Sequence, residues 1–232
     1  MKPYKVEIKV LSPLHLGSGR ADIVIDAEVV HDNYGLPYFP AKRLKGLLFE
    51  SAIEMAEMSR EKWFTVDEVK QLFGQENADQ SAFTIENFYL ENYASIKEDW
   101  EYLNNKYHGI FTREEVLETY TDLRYMTSID KETGTTKDGS LHNMRIVDAG
   151  TVFKGVISLG DESQKNKLII EYALKNLRFA GAKRNRGCGA IECIFTSALD
   201  SAAAKKDKKS VKKQNKKGNM KVTYRKNKAK RK

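Results

Sequence analysis

Gly181-Ala182-Lys183-Arg184-Asn185-Arg186-Gly187-Cys188-Gly189 lies between a helical run, Lys165 to Leu177, and an alternating apolar stretch, Ala190 to Thr196. Three glycines and three cations in nine residues suit a backbone that wraps a phosphate. Glycine reaches positive φ and permits close approach, so amide N–H groups can converge on an anion. Lys183, Arg184 and Arg186 bring the charge, and a guanidinium adds a planar fork for phosphate oxygens. The same composition also describes a solvated helix-to-strand turn. The loop alone does not choose between the two.

Upstream of that helix, Thr151 to Leu159 reads as a strand, which completes a β-α-β ending. At the other end of the chain Tyr4 to Leu11 alternates apolar with charged residues, the pattern of a half-buried strand. Asp22 to His31, rich in Val and Ile, is expected to be a second strand. Ala41 to Met58 carries one apolar face from Leu44 to Ala56, and Pro40 suits its start. A short helix over Glu68–Phe73 ends at Gly74, and Phe83 to Leu90 reads as a strand. A helix is expected over Arg113–Tyr120. From Arg124 to Gly150 turn signals dominate, as in an extended arm or long hairpin leaving the core. The order β-β-α-β, insertion, β-α-β predicts an α+β fold with a ferredoxin-like or RRM-like βαββαβ core.

The net charge of +8 averages two different segments. From Lys205 onward there are fifteen Lys/Arg and one acid, Asp207. Of the 40 basic and 32 acidic residues, 25 and 31 therefore remain in positions 1–204, a net of −6. Residues 1–200 are expected to form the folded domain, and 201–232 a disordered Lys/Arg-rich tail without the apolar residues a core needs. Such a tail serves as a nonspecific anchor for nucleic acid or as a solubilising extension. No apolar run is long enough to span a bilayer, which points to a cytoplasmic protein without a membrane partner. Cys188 and Cys193 indicate neither a disulfide framework nor a zinc site.

A second cationic cluster opens the main helix: Pro40-Ala41-Lys42-Arg43-Leu44-Lys45-Gly46. A helix N-terminus already carries partial positive charge, so Lys42, Arg43 and Lys45 oppose it unless something anionic compensates. Gly46 costs the helix about 1 kcal/mol relative to Ala, which a close approach by backbone or ligand would explain. No Walker A or dinucleotide fingerprint is present. His15 follows the first strand and has the chemistry of a general base for RNA cleavage, although a lone His is more often structural. Asp22, Asp26 and Glu28 share one face by period-2 spacing. Acids so placed are usually solvated, and otherwise suit metal-assisted chemistry.

Read together, the motifs resemble the RAMP superfamily of CRISPR-associated proteins, especially RNA-binding subunits of type III effector complexes. The resemblance rests on Ser12 to Gly19 (SPLHLGSG), Asp32 to Gly46 (DNYGLPYFPAKRLKG), Leu72-Phe73-Gly74, Ser128 to Gly134 (SIDKETG) and the late glycine loop, in that order. It implies an RRM-like core that holds CRISPR guide RNA beside target RNA and other effector subunits. Lys42, Arg43, Lys45 and Gly46, with Gly181, Lys183, Arg184, Arg186, Gly187 and Gly189, match guide-backbone contacts. A thumb-like insertion at about 124–150, with Arg124, Ile129, Asp130 and Thr133, matches the hairpin that separates guide from target.

The resemblance further puts Asp26 where repeated backbone subunits of the family cleave target RNA, with a divalent metal such as Mg2+ as the only cofactor that role would call for. Two departures stand out. Ala41-Lys42-Arg43 replaces the small residues usual before Leu-Lys-Gly, and Phe49 stands where Arg is common. The form is closer to single-copy subunits of type III-D-like complexes, in which Asp26 would be inert. Three readings stay open at this level: a guide-RNA holder, a target-RNA endoribonuclease using Asp26, and a guide-processing ribonuclease using His15.

Overall fold

The computed structural model describes residues 2–21, 24–74, 82–107, 109–110, 112–160 and 164–196. Asp22 and the basic segment 201–232 lie outside the described residues. The chain divides into two units, Met1–Phe195 and Thr196–Lys232, and the first holds the architecture that follows.

Strand β1 (Lys2–Val10) turns Tyr4, Val6, Ile8 and Val10 inward and its charged residues outward. Its long partner is β6 (Val152–Leu159), antiparallel from Lys2↔Leu159 to Lys9↔Val152. On the other side lies β7 (Ile191–Thr196). The Tyr4 ring stacks on Phe195 at 5.1 Å, and the Leu11 amide donates to the Ala190 carbonyl at 2.8 Å. The start of β7 therefore lies beside the end of β1, and the two run antiparallel. Two short strands, β2 (Phe83–Ile85) and β3 (Tyr89–Leu90), pair with the far edge of β6. The sheet order is β2-β6-β1-β7.

Both crossovers are helical. Helix α1 (Ala41–Met58) connects β1 to β2, and α5 (Gln164–Asn176) connects β6 to β7. The two helices pack together. Leu44, Leu48 and Ala52 of α1 and Ile170, Ala173 and Leu174 of α5 are buried in the same core as Val6, Ile8, Phe153 and Ile157. The Ser51 hydroxyl donates across the pair to the Ala173 carbonyl at 2.8 Å. Helix α2 (Val66–Phe73) follows α1, with a Thr65/Glu68 capping box at one end and left-handed Gly74 at the other.

Between β3 and β6 the chain forms α3 (Tyr93–Lys106), α4 (Arg113–Tyr120) and a hairpin of β4 (Thr121–Met126) and β5 (His142–Val147). The hairpin register runs from Thr121↔Val147 to Met126↔His142. It begins three residues before the expected insertion, because Thr121 already pairs with Val147 at its base.

Of the strand expected over Asp22 to His31, the described residues 24–31 form no strand. They touch three partners through single bridges: Val29 with Gly17, Ala27 with Met144, and His31 with Pro37. No one strand edge runs alongside the whole segment, so no ladder propagates. The expected strand Phe83–Leu90 is also broken. Asn87 turns its side chain to accept the Ala41 amide at 2.8 Å and so caps α1, while Phe88 pairs with Phe39 through both backbone groups. Helix α3 has no counterpart among the expected elements. Tyr93, Ile96 and Trp100 pack on the core from one face, but none of its residues is fully buried, so its apolar signal is weak. Among the described residues no helix is long and apolar enough to cross a membrane.

Gly155 sits opposite Val6 in the middle of the sheet, under the buried Phe88 ring. A Cβ there would lie 2.5 Å from that ring. Gly155→Ala should therefore destabilise by about 1–3 kcal/mol through overpacking. Phe88→Leu in the same chain should recover part of that loss although it destabilises alone. Urea denaturation of the double-mutant cycle checks both; additive losses would show that the ring is not what constrains Gly155.

Candidate nucleic-acid interface

Past Val10 the chain leaves the sheet, and Leu11–Ser18 finds its hydrogen bonds in four separate places. Ser12 Oγ accepts the Ala190 amide at 2.9 Å and the Pro13 carbonyl accepts the Gly189 amide at 2.9 Å. Leu14 exchanges both backbone bonds with Val147 at the hairpin base. The His15 carbonyl accepts the Ala182 amide at 3.0 Å, and the Gly17 carbonyl accepts Arg43 Nη2 at 2.9 Å. Ser18 and Leu16 bond to Glu28 and Val30. The glycine loop, the hairpin, the start of α1 and segment 24–30 are thus assembled around one strand exit.

A cleft of about 590 Å3 opens where they meet. His15, Gly17, Asp26, Arg43, Gly181 and Arg184 are among its walls, and Arg20 stands at the turn that follows Gly19. Of the cations singled out in the sequence, Arg43 and Arg184 line this cleft. Lys42 is exposed on α1 and does not line the cleft, and Lys45 lies over the Phe83 ring at 5.4 Å. Gly46 is exposed, with nothing within 4 Å of where a Cβ would stand. Packing against the described residues is therefore not what requires glycine there.

In the glycine loop the chain itself uses part of the backbone that a phosphate cradle would need. Gly181 and Gly189 are glycines because a Cβ would strike the His15 carbonyl oxygen at 2.4 Å and the Ala180 carbonyl oxygen at 2.1 Å. The amides of Ala182, Arg186 and Gly189 are bonded within the chain. A single 3-10 turn, Arg184–Arg186, stands between left-handed Lys183 (φ 59°) and Gly187 (φ 76°). Besides its remaining amides, this loop presents cationic side chains. Arg184 and Arg186 are exposed and Lys183 half-exposed, and among the described residues only Arg184 Nε is tied back, to Gly181 O at 3.2 Å.

His15 is 6 % exposed. Its Nδ1 lies 2.7 Å from the Arg145 carbonyl, which can only accept, so Nδ1 carries the proton. Its Nε2 faces Gly17, where a Cβ would come within 2.7 Å. The ring acts as a wedge between the hairpin base and the Gly17 turn. Asp26 is exposed on the cleft wall, and its Oδ2 accepts the Asn143 amide at 2.8 Å while Asn143 Oδ1 accepts the Asp26 amide at 2.9 Å. Glu28 is taken up by Arg145, whose Nε lies 3.0 Å from Oε1. Among the described residues no three His, Cys, Asp or Glu side chains gather to hold a metal ion.

In the hairpin, Arg124 Nη1 donates to the Cys188 sulfur at 2.9 Å and links β4 to the glycine loop. Asp130 Oδ1 accepts the amides of Glu132 and Thr133, which hold its carboxyl below the usual range and shape the tip. Ile129, beside it, is exposed.

A model of the RAMP superfamily matches residues 7–192. The chain belongs to the RAMP superfamily. Among curated proteins the sequence finds no match. Among solved structures, a chain of type III-B Cmr-beta bound to cognate target RNA, seen by cryo-electron microscopy, is similar with a TM-score of 0.61 at 18% identity, over 84% of this chain and 97% of that one. A chain of the apo state of type III-B Cmr-beta gives a TM-score of 0.61 at 16% identity, over 85% and 98%. At such identity these likenesses speak for the fold.

Sequence reasoning about this RAMP protein misses the residues that position its cleft. Arg145 is 4 % exposed, and besides Glu28 its Nη1 donates to Thr121 Oγ1 at 3.2 Å. Its own amide bonds Ala27. In the sequence Arg145 is one more cation in a turn-rich arm, and nothing local marks it as buried. Arg20 escapes notice for a similar reason: it follows Gly19 singly, outside any cluster.

Removing one member of a buried ion pair leaves the other uncompensated, typically at about 3–5 kcal/mol. Arg145→Met should destabilise on that scale, with Glu28→Gln costing less because Glu28 sits nearer solvent. The double variant should be more stable than Arg145→Met alone. Equal stability of Arg145→Met and the unaltered protein in chemical denaturation would refute the role of the pair.

Proposed function

We propose that this RAMP protein is a guide-RNA-binding subunit of a type III CRISPR interference complex, working in the cytoplasm in antiviral defence. One observation carries the reading: cations from two distant parts of the chain, Arg43 at the start of α1 and Arg184 in the glycine loop, face one cleft, on a body that is otherwise net acidic. A concentrated basic site on an acidic surface selects a polyanion by position and not by overall charge. The likeness to chains of type III-B Cmr-beta, one of them bound to cognate target RNA, supports such a setting.

In this reading the β1-α1-β2-β6-α5-β7 order is an RRM-like βαββαβ core. The hairpin Thr121–Val147 is the thumb, with exposed Tyr125, Ile129 and Leu141 turned toward the bases. Guide phosphates run along Arg20, Arg43, Arg184 and the neighbouring Lys42, Lys45, Lys183 and Arg186. Target RNA and other effector subunits are the remaining partners.

Lys183→Ala/Arg186→Ala should weaken guide RNA binding at least about tenfold. It should also lower the slope of log affinity against log salt by about 0.7 for each phosphate of a single strand that the variant no longer neutralises. Lys175→Ala, on the exposed face of α5, is the control. If the double variant binds no more weakly than the control, the glycine-loop assignment fails.

Asp26 supports a second reading, because its exposed carboxylate lines the same cleft. A Mg2+ there would take Asp26 as its one protein carboxylate and the rest of its shell from phosphates and water, which suits that ion. When bound, it would polarise the scissile phosphate. The chain's own residues would fix the carboxylate through Asn143 and hold the strand through Arg43 and Arg184. Asp26→Asn should then abolish target cleavage in the assembled complex and leave guide binding intact. Unchanged cleavage leaves the protein as a holder.

A further inference from the structure

Where α5 ends, Leu177-Arg178-Phe179 passes the middle of α1 and leaves a groove of about 470 Å3 between them. The groove shares Leu47 and Arg184 with the cleft, so the two adjoin across these side chains. Phe179 is 46 % exposed. Its backbone is nonetheless fixed: it bridges Ala190, between an Ala180-to-Gly189 bond of 2.8 Å and an Ile191-to-Arg178 bond of 2.9 Å. An exposed ring is thus carried on a fixed backbone in a groove that Arg178 and Arg184 also line. Among the described residues the Arg178 guanidinium has no hydrogen-bond or ion-pair partner.

The opposite wall has the other sign. Glu50 and Glu54 project from α1, and Glu54 Oε2 accepts Asn176 Nδ2 at 2.9 Å. A phosphate lodged in the groove would face these carboxylates, so a sugar-phosphate backbone is confined to the arginine side. A nucleobase has no such penalty. Its face stacks on an aromatic ring, and its amino groups can donate to a carboxylate.

We propose that this groove is a nucleobase subsite: single-stranded RNA held in the cleft turns one base onto Phe179, with the adjoining phosphates on Arg178 and Arg184. The proposal rests on the RNA-binding reading and adds the place where a base, not a phosphate, is held. Because Phe179 is exposed, replacing it should leave the fold intact.

The test uses the full chain and single-stranded RNA carrying one 2-aminopurine, moved along the strand one position at a time. With the unaltered protein, fluorescence should be quenched by stacking at one register. Phe179→Leu should abolish that quenching and weaken binding about tenfold, within the range expected when a base loses its aromatic platform, with no change in salt slope. Phe179→Trp should restore both. If Phe179→Leu binds and quenches like the unaltered protein while Lys183→Ala/Arg186→Ala loses affinity, the subsite is overturned and the RNA-binding reading stands. If the unaltered protein binds no RNA, both fall.

Discussion

Backbone polar groups that leave a sheet must find partners, and the residues that follow Val10 find theirs in elements distant in sequence. Each bond is worth only about 0.5–1.5 kcal/mol net, but a buried group left without a partner costs about 1–3 kcal/mol. The strand exit Leu11–Ser18 is therefore satisfied only when the glycine loop, the hairpin base, segment 24–30 and α1 are all in place. That requirement builds the cleft. The candidate side chains stand around it because the segments that carry them supply those hydrogen bonds.

Two devices hold the assembly in shape. The buried Arg145–Glu28 pair fastens β5 to segment 24–30, and the protonated Nδ1 of His15 ties the strand exit to the same β5 residue. Both converge on Arg145, whose carbonyl, amide and guanidinium all have separate partners. Asp26 and Asn143 complete the seam next to it. The cleft wall facing Arg43 and Arg184 is consequently a rigid surface and not a loose loop.

The glycine loop illustrates how one composition serves two ends. Gly181 and Gly189 are demanded by carbonyl oxygens of the chain itself, at distances a Cβ cannot tolerate. Gly46, by contrast, faces open space on α1. A sequence contains three letters of the same kind at these places and cannot tell an internal packing constraint from an exposed one. The cations beside them were legible because charge clustering is local. Their convergence was not.

Periodicity in the sequence by itself determined the main crossover helices, α1 and α5, and the strands β1, β6 and β7, since each buries one face against a single core and so carries a regular apolar repeat. Charge counting separated the acidic body from the basic 205–232 segment, and the ordered motifs pointed to the RAMP superfamily that the match over 7–192 establishes. Only the tertiary structure decided that residues 24–31 form no strand, that Asn87 interrupts Phe83–Leu90 to cap α1, that Arg145 is buried, and that Arg43 and Arg184 share a cleft. The reason is the range of the forces involved. Local burial patterns repeat within one element, whereas the partners of a carbonyl, a guanidinium or a glycine come from wherever the chain returns.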